Sequence, residues 1–255
     1  MTPLLELRNV SKSYRRSGGV VVPAVSSVTL SVHPKETVAL VGESGSGKST
    51  LARIALCLVR PDAGEVVLNG MRLTGLSNRC LRAIRPMMQP VFQDPAASFN
   101  PRRTVQEVLF QALRRVGRAD QTARAIAVLE RVGLRPDTAY LPRLPHELSG
   151  GQRQRLAIAR ALAMEPILII ADEPLSGVDV SIRGQILNLL SDLQEEREVA
   201  YLLITHDISM ARALAHRIAV MMRGEIVETG PTEQVLGAPQ HPYTQRLIAA
   251  VPTLG

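Results

Sequence analysis

Three short stretches of the chain, residues 38–41, 167–171 and 201–205, are apolar almost without interruption, and each runs into polar residues. Runs of that length with no polar alternation predict strands buried on both faces of a parallel sheet. Residues 4–32 behave differently: LLELRNV and VSSVTLSV alternate, as do residues 65–73, predicting short strands in an antiparallel layer beside that sheet. Helical spacing marks residues 51–59, 105–113 and 122–134, the last with Ile126, Leu129 and Val132 on one face and Gly133 as its stop. The proline-rich LPRLPHE at 141–147 predicts a loop, and Leu247, Ile248 and Val251 give the tail a short amphipathic helix that packing alone would explain.

Chemistry gathers where the apolar runs end. After the first comes GESGSGKST, in which Gly42, Gly47, Lys48 and Ser49 fit G-x-x-x-x-G-K-[ST], with Glu43, Ser44, Gly45 and Ser46 between them and Thr50 beyond. Such a loop closes backbone N–H groups around phosphate oxygens, sends the lysine to the terminal phosphates and offers the serine hydroxyl to Mg²⁺. A strand before it and a helix after it argue against a mere Gly/Ser turn. The second and third runs end in Asp172-Glu173 and His206-Asp207. Taken singly, either pair is ordinarily a helix cap or a solvated turn. In open α/β sheets, however, ligands sit beyond the carboxyl ends of the strands, so all three sets of polar groups converge. Asp172 is then placed to hold Mg²⁺, Glu173 to orient and deprotonate an attacking water, and His206 to contact the γ-phosphate.

Downstream lies LSGGQ at 148–152. With it the motifs stand in one familiar order, and the chain resembles the nucleotide-binding subunit of an ABC transporter over essentially all its length. The resemblance implies an α/β fold: a P-loop NTPase core with a mainly parallel sheet, an antiparallel β layer and an inserted α-helical subdomain. Residues 1–92 and 165–236 would form the core and layer, 93–164 the helical subdomain with the signature, and 237–255 an importer-type tail. ATP and Mg²⁺ are the implied cofactors. Tyr14 would stack on adenine; Gln93 in VFQDP would be the Q-loop residue, counted with the catalytic and metal-binding groups; and Asp179 in SGVDVS would mark the D-loop. His206 becomes the switch histidine. Ser149 and Gly151 would meet the γ-phosphate bound on the opposite subunit, clamping each ATP between two chains, with Gly150 and Gln152 counted among the nucleotide-binding residues. Helix physics agrees, since Ser149 can cap the helix through RQRLAIARALA, whose free N–H groups favour phosphate.

QHPYTQRLIAAVP at 240–252 and QDPAASFNPRRTV at 93–105 bear a narrower resemblance, to the oligopeptide, dipeptide and nickel importer branch. It implies transmembrane permease subunits facing residues 96–103, a second ATPase subunit, identical or distinct, and indirectly an extracytoplasmic substrate-binding protein. The chain would then sit peripherally on the cytoplasmic face of the cell membrane, and peptides, nickel or metal chelates remain open as cargo. Two rival readings are an ABC-like subunit of a carbon–phosphorus lyase assembly, which can share the HPYT tail, and a nucleic-acid-associated ABC ATPase. Several residues depart from the family pattern. The D-loop reads SGVD where SALD is usual, which loosens its backbone. Pro90 replaces a strand residue and predicts an edge or bulge. Lys35 stands where a turn glycine is usual. No cysteine follows the HPYT segment, so no iron–sulfur site is expected.

Composition adds limits. A chain of 255 residues can bury a large core, and none of its apolar runs approaches the roughly 20 residues that cross a bilayer. MTPLLELRNV lacks signal-peptide character. Cys57 and Cys80 have no metal-binding spacing and are expected to remain thiols. The formal charge of +7 permits contact with nucleic acid or anionic lipid. Its basic residues are dispersed, however, and three Phe, four Tyr and no Trp leave little for base stacking, so no nucleic-acid partner is expected.

Overall fold

In the computed structural model the described residues are 2–15, 19–114 and 117–250; Val251 and Pro252 of the tail lie outside them. Strands β1 (Leu5–Arg15) and β2 (Val21–Val32) pair antiparallel, with Leu5 opposite Val32 and Arg15 opposite Val21. At 11 and 12 residues they are longer than the alternation predicts, because register shifts along β1 let the pairing continue. Next come β3 (Thr37–Val41), entered through Lys35 at φ 61, and helix α1 (Lys48–Ala55). Lysine thus takes the left-handed conformation that a glycine would favour there. The helix stops short of its apolar run: Cys57 adopts φ 53 and lies beyond the helix end.

Residues 65–73 form two strands instead of one, β4 (Ala63–Leu68) and β5 (Met71–Arg72), because Asn69 and Gly70 at φ 46 and 75 turn the chain back between them. Then follow α2 (Asn78–Ile84), β6 (Met88–Val91), α3 (Pro95–Ser98), α4 (Val105–Ala112), α5 (Arg118–Arg131), α6 (Asp137–Tyr140) and α7 (Gly150–Leu162). The remaining elements are β7 (Leu168–Asp172), α8 (Val180–Arg197), β8 (Ala200–Thr205), α9 (Ile208–Leu214), β9 (Arg217–Met222), β10 (Glu225–Pro231), α10 (Thr232–Gly237) and α11 (Pro242–Ala249). Arg160 on α7 donates to the Ser98 carbonyl at 2.9 Å and lies 4.8 Å from the Phe99 ring, tying α7 to the end of α3 and the residue that follows it.

Two sheets result. One has strand order β2-β1-β4-β5 and is antiparallel throughout. The other has order β10-β9-β3-β8-β7-β6, parallel except for β10. Its central strands are covered on both sides: Val38 and Leu40 of β3 belong to one apolar core with Leu51 and Ile54, while Ala39 and Val41 belong to another with Leu109, Leu129 and Leu156. This two-sided burial is why the strands read as unbroken apolar runs. Truncating Leu40, which is fully buried, to alanine would cost about 2–5 kcal/mol. Pro90 lies on the edge strand β6, where a missing N–H is tolerated. The parallel register sets Val41 beside Thr205, Ile204 beside Asp172 and Ala171 beside Val91, so four strands release their next residues at one edge.

Candidate functional site

At that edge the chain leaving β3 forms the glycine-rich loop and enters α1. Gly47 stands at the start of the helix with φ 107, and a Cβ there would come within 2.1 Å of the Ala24 carbonyl oxygen on β2. Only glycine lets the loop approach that strand so closely. The Lys48 ammonium folds back into the loop, donating to the carbonyls of Gly42 at 2.7 Å and Glu43 at 2.8 Å. Burial lowers its pKa below the usual lysine range, against the pull of Glu173, Asp172 and Glu43. Ser49 follows, its hydroxyl donating to Asp172 Oδ1 at 3.1 Å.

Strand β8 beside β3 supplies the imidazole, and β7 beyond it supplies the carboxylates. Burial raises the Asp172 carboxyl above its ordinary range, the Ser49 hydrogen bond opposes that shift, and the negative charge of Glu173 adds to it. Glu173 stands at φ 50 with its N–H donated to Ile204 O at 2.8 Å, a left-handed conformation that costs a non-glycine residue about 1–2 kcal/mol. From β8, His206 brings Nδ1 to 2.7 Å from the Glu173 carboxylate. Asp207 turns elsewhere and caps α9 by accepting from Ser209 N–H at 2.8 Å. Of the two polar pairs, one member therefore serves as a helix cap.

These groups border a cleft of about 510 Å³ lined by Ala24, Ser44, Gly45, Gly47, Lys48, Ser49, Thr50, Gln93, Glu173 and His206. Free N–H groups at the start of α1 and a buried ammonium suit the oxygens of a polyphosphate. Ser49 and Asp172, already paired, with Gln93 on the cleft wall, offer hard oxygen donors of the kind that suits Mg²⁺ beside phosphates. The remaining candidates lie apart. Gln93 also donates to Ser176 Oγ at 3.4 Å and forms, with Gly150, Gln154 and Gly177, part of a second hollow of about 330 Å³. Ser149 caps α7 in a reciprocal box: its hydroxyl accepts from Gln152 N–H, and Gln152 Oε1 accepts from Ser149 N–H at 2.9 Å. Gly151 is buried beside Ile182, and Asp179 is exposed just before α8. Tyr14, 41% exposed on β1 with the Lys12 ammonium 5.8 Å from its ring centre, does not line the cleft.

Two residues beyond the sequence-predicted set touch this region. Ala24 sits within an alternating strand and carries no signal of its own. Tyr243, in the HPYT segment, accepts the Glu43 N–H at 2.9 Å. Among the described residues, no helix is long and apolar enough to cross a membrane.

Comparison with known proteins bears on this geometry. Residues 25–176 match the family model "ABC transporter", and residues 227–255 match "Oligopeptide/dipeptide transporter, C-terminal region". The glutathione import ATP-binding protein GsiA of Escherichia coli (strain K12) is 49% identical over 259 residues, covering 98% of this chain and 41% of that protein. GsiA of Salmonella typhimurium (strain LT2) gives the same identity and coverage. The chain thus spans about two fifths of the length of these relatives. Among solved structures, the dimeric bacterial ABC transporter cassette MJ0796 aligns with a TM-score of 0.80 at 33% identity, covering 89% of this chain and 98% of that one. A dimeric post-hydrolysis state of MJ0796 bound to ADP and Pi also scores 0.80, at 32% identity with the same coverage. For cbiO1 from Clostridium perfringens, part of the ABC transporter complex cbiONQ, the TM-score is 0.80 at 27% identity, covering 92% of this chain and 91% of that one.

Proposed function

Because the chain belongs to the ABC transporter ATP-binding family, we propose that it hydrolyses ATP to power an importer of the oligopeptide/dipeptide type. The observation that carries this reading is the convergence of Lys48, Ser49, Asp172, Glu173 and His206 at the carboxyl ends of three adjacent parallel strands.

Each group has a role in the cleft. Lys48 meets the terminal phosphates, the loop N–H groups hold their oxygens, and Tyr14, exposed outside the cleft lining, stacks on an adenine that extends beyond it. Ser49, Asp172 and Gln93 hold Mg²⁺, which when bound neutralises charge on the phosphate oxygens. Glu173 accepts the proton of the attacking water, and His206, held against Glu173, fixes its orientation toward the γ-phosphate. Ser149 to Gln152 do not line their own chain's cleft, which suits a signature that completes the site of a second ATPase subunit. ATP touched by both chains favours the closed dimer, and hydrolysis removes that preference. Residues 93–164 move as a helical lobe in this cycle, and 96–103 face a transmembrane permease on the cytoplasmic side of the membrane. An extracytoplasmic binding protein delivers the cargo. The glutathione import relatives favour a peptide cargo over nickel.

Affinity purification of a tagged Glu173→Gln chain from detergent-solubilised native membranes, with ATP and Mg²⁺, tests this. Recovery of a polytopic permease with an ATPase partner is expected. Recovery only of soluble enzymes or nucleic acid would overturn import while leaving the ATPase chemistry in place.

A further inference from the structure

The tail reaches back 200 residues to the phosphate-binding loop. The hydroxyl of Tyr243, a residue only 4% exposed, accepts the Glu43 N–H at 2.9 Å. That N–H lies just past β3, where pairing with β8 and β9 ends at Val41, so it needs an acceptor from outside the sheet. The same peptide unit carries the Gly42 carbonyl, which accepts from Lys48 Nζ at 2.7 Å. One peptide therefore joins Tyr243 on its donor side to Lys48 on its acceptor side, and hydrogen bonds linked in this way polarise one another.

The tyrosine is itself held firmly. On β10 the Glu228 carboxylate accepts from Gln240 N–H at 2.8 Å and His241 N–H at 3.0 Å. His241 Nδ1 then caps α11 by accepting from Tyr243 N–H at 3.2 Å, while Leu247 and Ile248 pack on the core. This bracing exceeds what an amphipathic helix needs simply to cover the core, and it aims one hydroxyl at one loop amide.

We propose that Tyr243 is a positioning residue for the phosphate-binding loop, through which the tail sets the affinity of the site for a nucleoside triphosphate. The proposal rests on the nucleotide reading above. Tyr243→Phe removes a single oxygen and keeps the ring, so the packing of α11 is retained. Two measurements on the full chain test it: amide hydrogen exchange at Glu43 without nucleotide, and equilibrium binding of ATP with Mg²⁺. In the variant, exchange at Glu43 should quicken and ATP binding weaken, each by about 2- to 10-fold, the worth of one hydrogen bond. Gln245→Ala, on the exposed side of the same helix, should leave both as they were. Unchanged exchange at Glu43 would overturn the contact. Faster exchange with unaltered ATP affinity would overturn the positioning role and leave the nucleotide reading standing. Absence of ATP binding by the unmodified chain would overturn that reading and the proposal with it.

Discussion

His206 Nδ1 lies 2.7 Å from the carboxylate of Glu173, although the two residues leave different strands of the sheet. The contact places a carboxylate and an imidazole on the wall of the cleft that Lys48 and Ser49 also line. Glu173→Gln keeps the size of the side chain and loses its capacity to take a proton. ATP binding should persist, hydrolysis should fall by about 10²–10⁴-fold, and a closed dimer should accumulate with ATP. Turnover assays with light scattering read all three, and near-normal turnover would sink the assignment.

Ser149 closes the first turn of α7 with its own hydroxyl and stands apart from the cleft of its own chain. Ser149→Arg removes that cap, at about 1 kcal/mol, and puts a bulky cation at the helix start. Nucleotide binding by the isolated chain should be spared while ATP-dependent dimerisation is lost. Sedimentation with the Glu173→Gln background separates the two effects, and undiminished dimerisation would refute a contact across subunits.

Gly47→Ala would drive a methyl group to within 2.1 Å of the Ala24 carbonyl, at a φ of 107 that side chains rarely adopt. Loop and strand must then part, and α1 loses its place against the cleft. The expected results are loss of ATP binding and a stability loss of about 1–3 kcal/mol by thermal unfolding, the range for an overpacked site. A variant that binds ATP normally would contradict the loop geometry.

The parallel sheet was legible because its strands are buried twice: Val38 and Leu40 face one core, Ala39 and Val41 the other, and no polar residue interrupts them. The polar residues ending those runs marked the cleft for the same reason, since parallel strands must release them at one edge. Local turns escaped. Asn69-Gly70 split a predicted strand, and Arg223-Gly224 at φ 49 and 88 joins β9 to β10, neither of which the pattern singled out. Tyr243 was hidden for a different reason. An apolar ring at helical spacing reads as packing, and only the fold reveals that its hydroxyl meets an amide from the other end of the chain.

Cys57 offers a test by pH. Burial pushes its thiol up to about 11, against the opposing charge of Arg85. An ordinary thiol titrates near 8.5, so at pH 8 the folded chain should expose roughly two hundredfold less thiolate at this position than the unfolded chain. Alkylation of Cys57, followed by mass spectrometry with and without urea, should differ by that factor. Because the folded state holds this proton more tightly, the contribution of Cys57 to stability falls as pH rises from about 8.5 toward 11. Equal alkylation rates in both states would contradict the burial.

Gly177 stands at φ 71 in the segment between Glu173 and Asp179, and a Cβ there would meet no atom within 4 Å. Space is therefore no obstacle to the alanine usual in the related D-loops, and only the backbone conformation opposes it. If the observed conformation is required, Gly177→Ala should lower stability by about 1–2 kcal/mol. ATP affinity should not change, because Gly177 borders the second hollow beside Gly150 and not the cleft around Lys48. Thermal unfolding and equilibrium ATP binding on the same preparations separate these two quantities. Unchanged stability would mean that the segment leaves the left-handed region without penalty, so that glycine here is a tolerated substitution and not a structural requirement. A fall in ATP affinity would instead mean that the segment communicates with the cleft through Gln93, whose side chain reaches Ser176 at 3.4 Å.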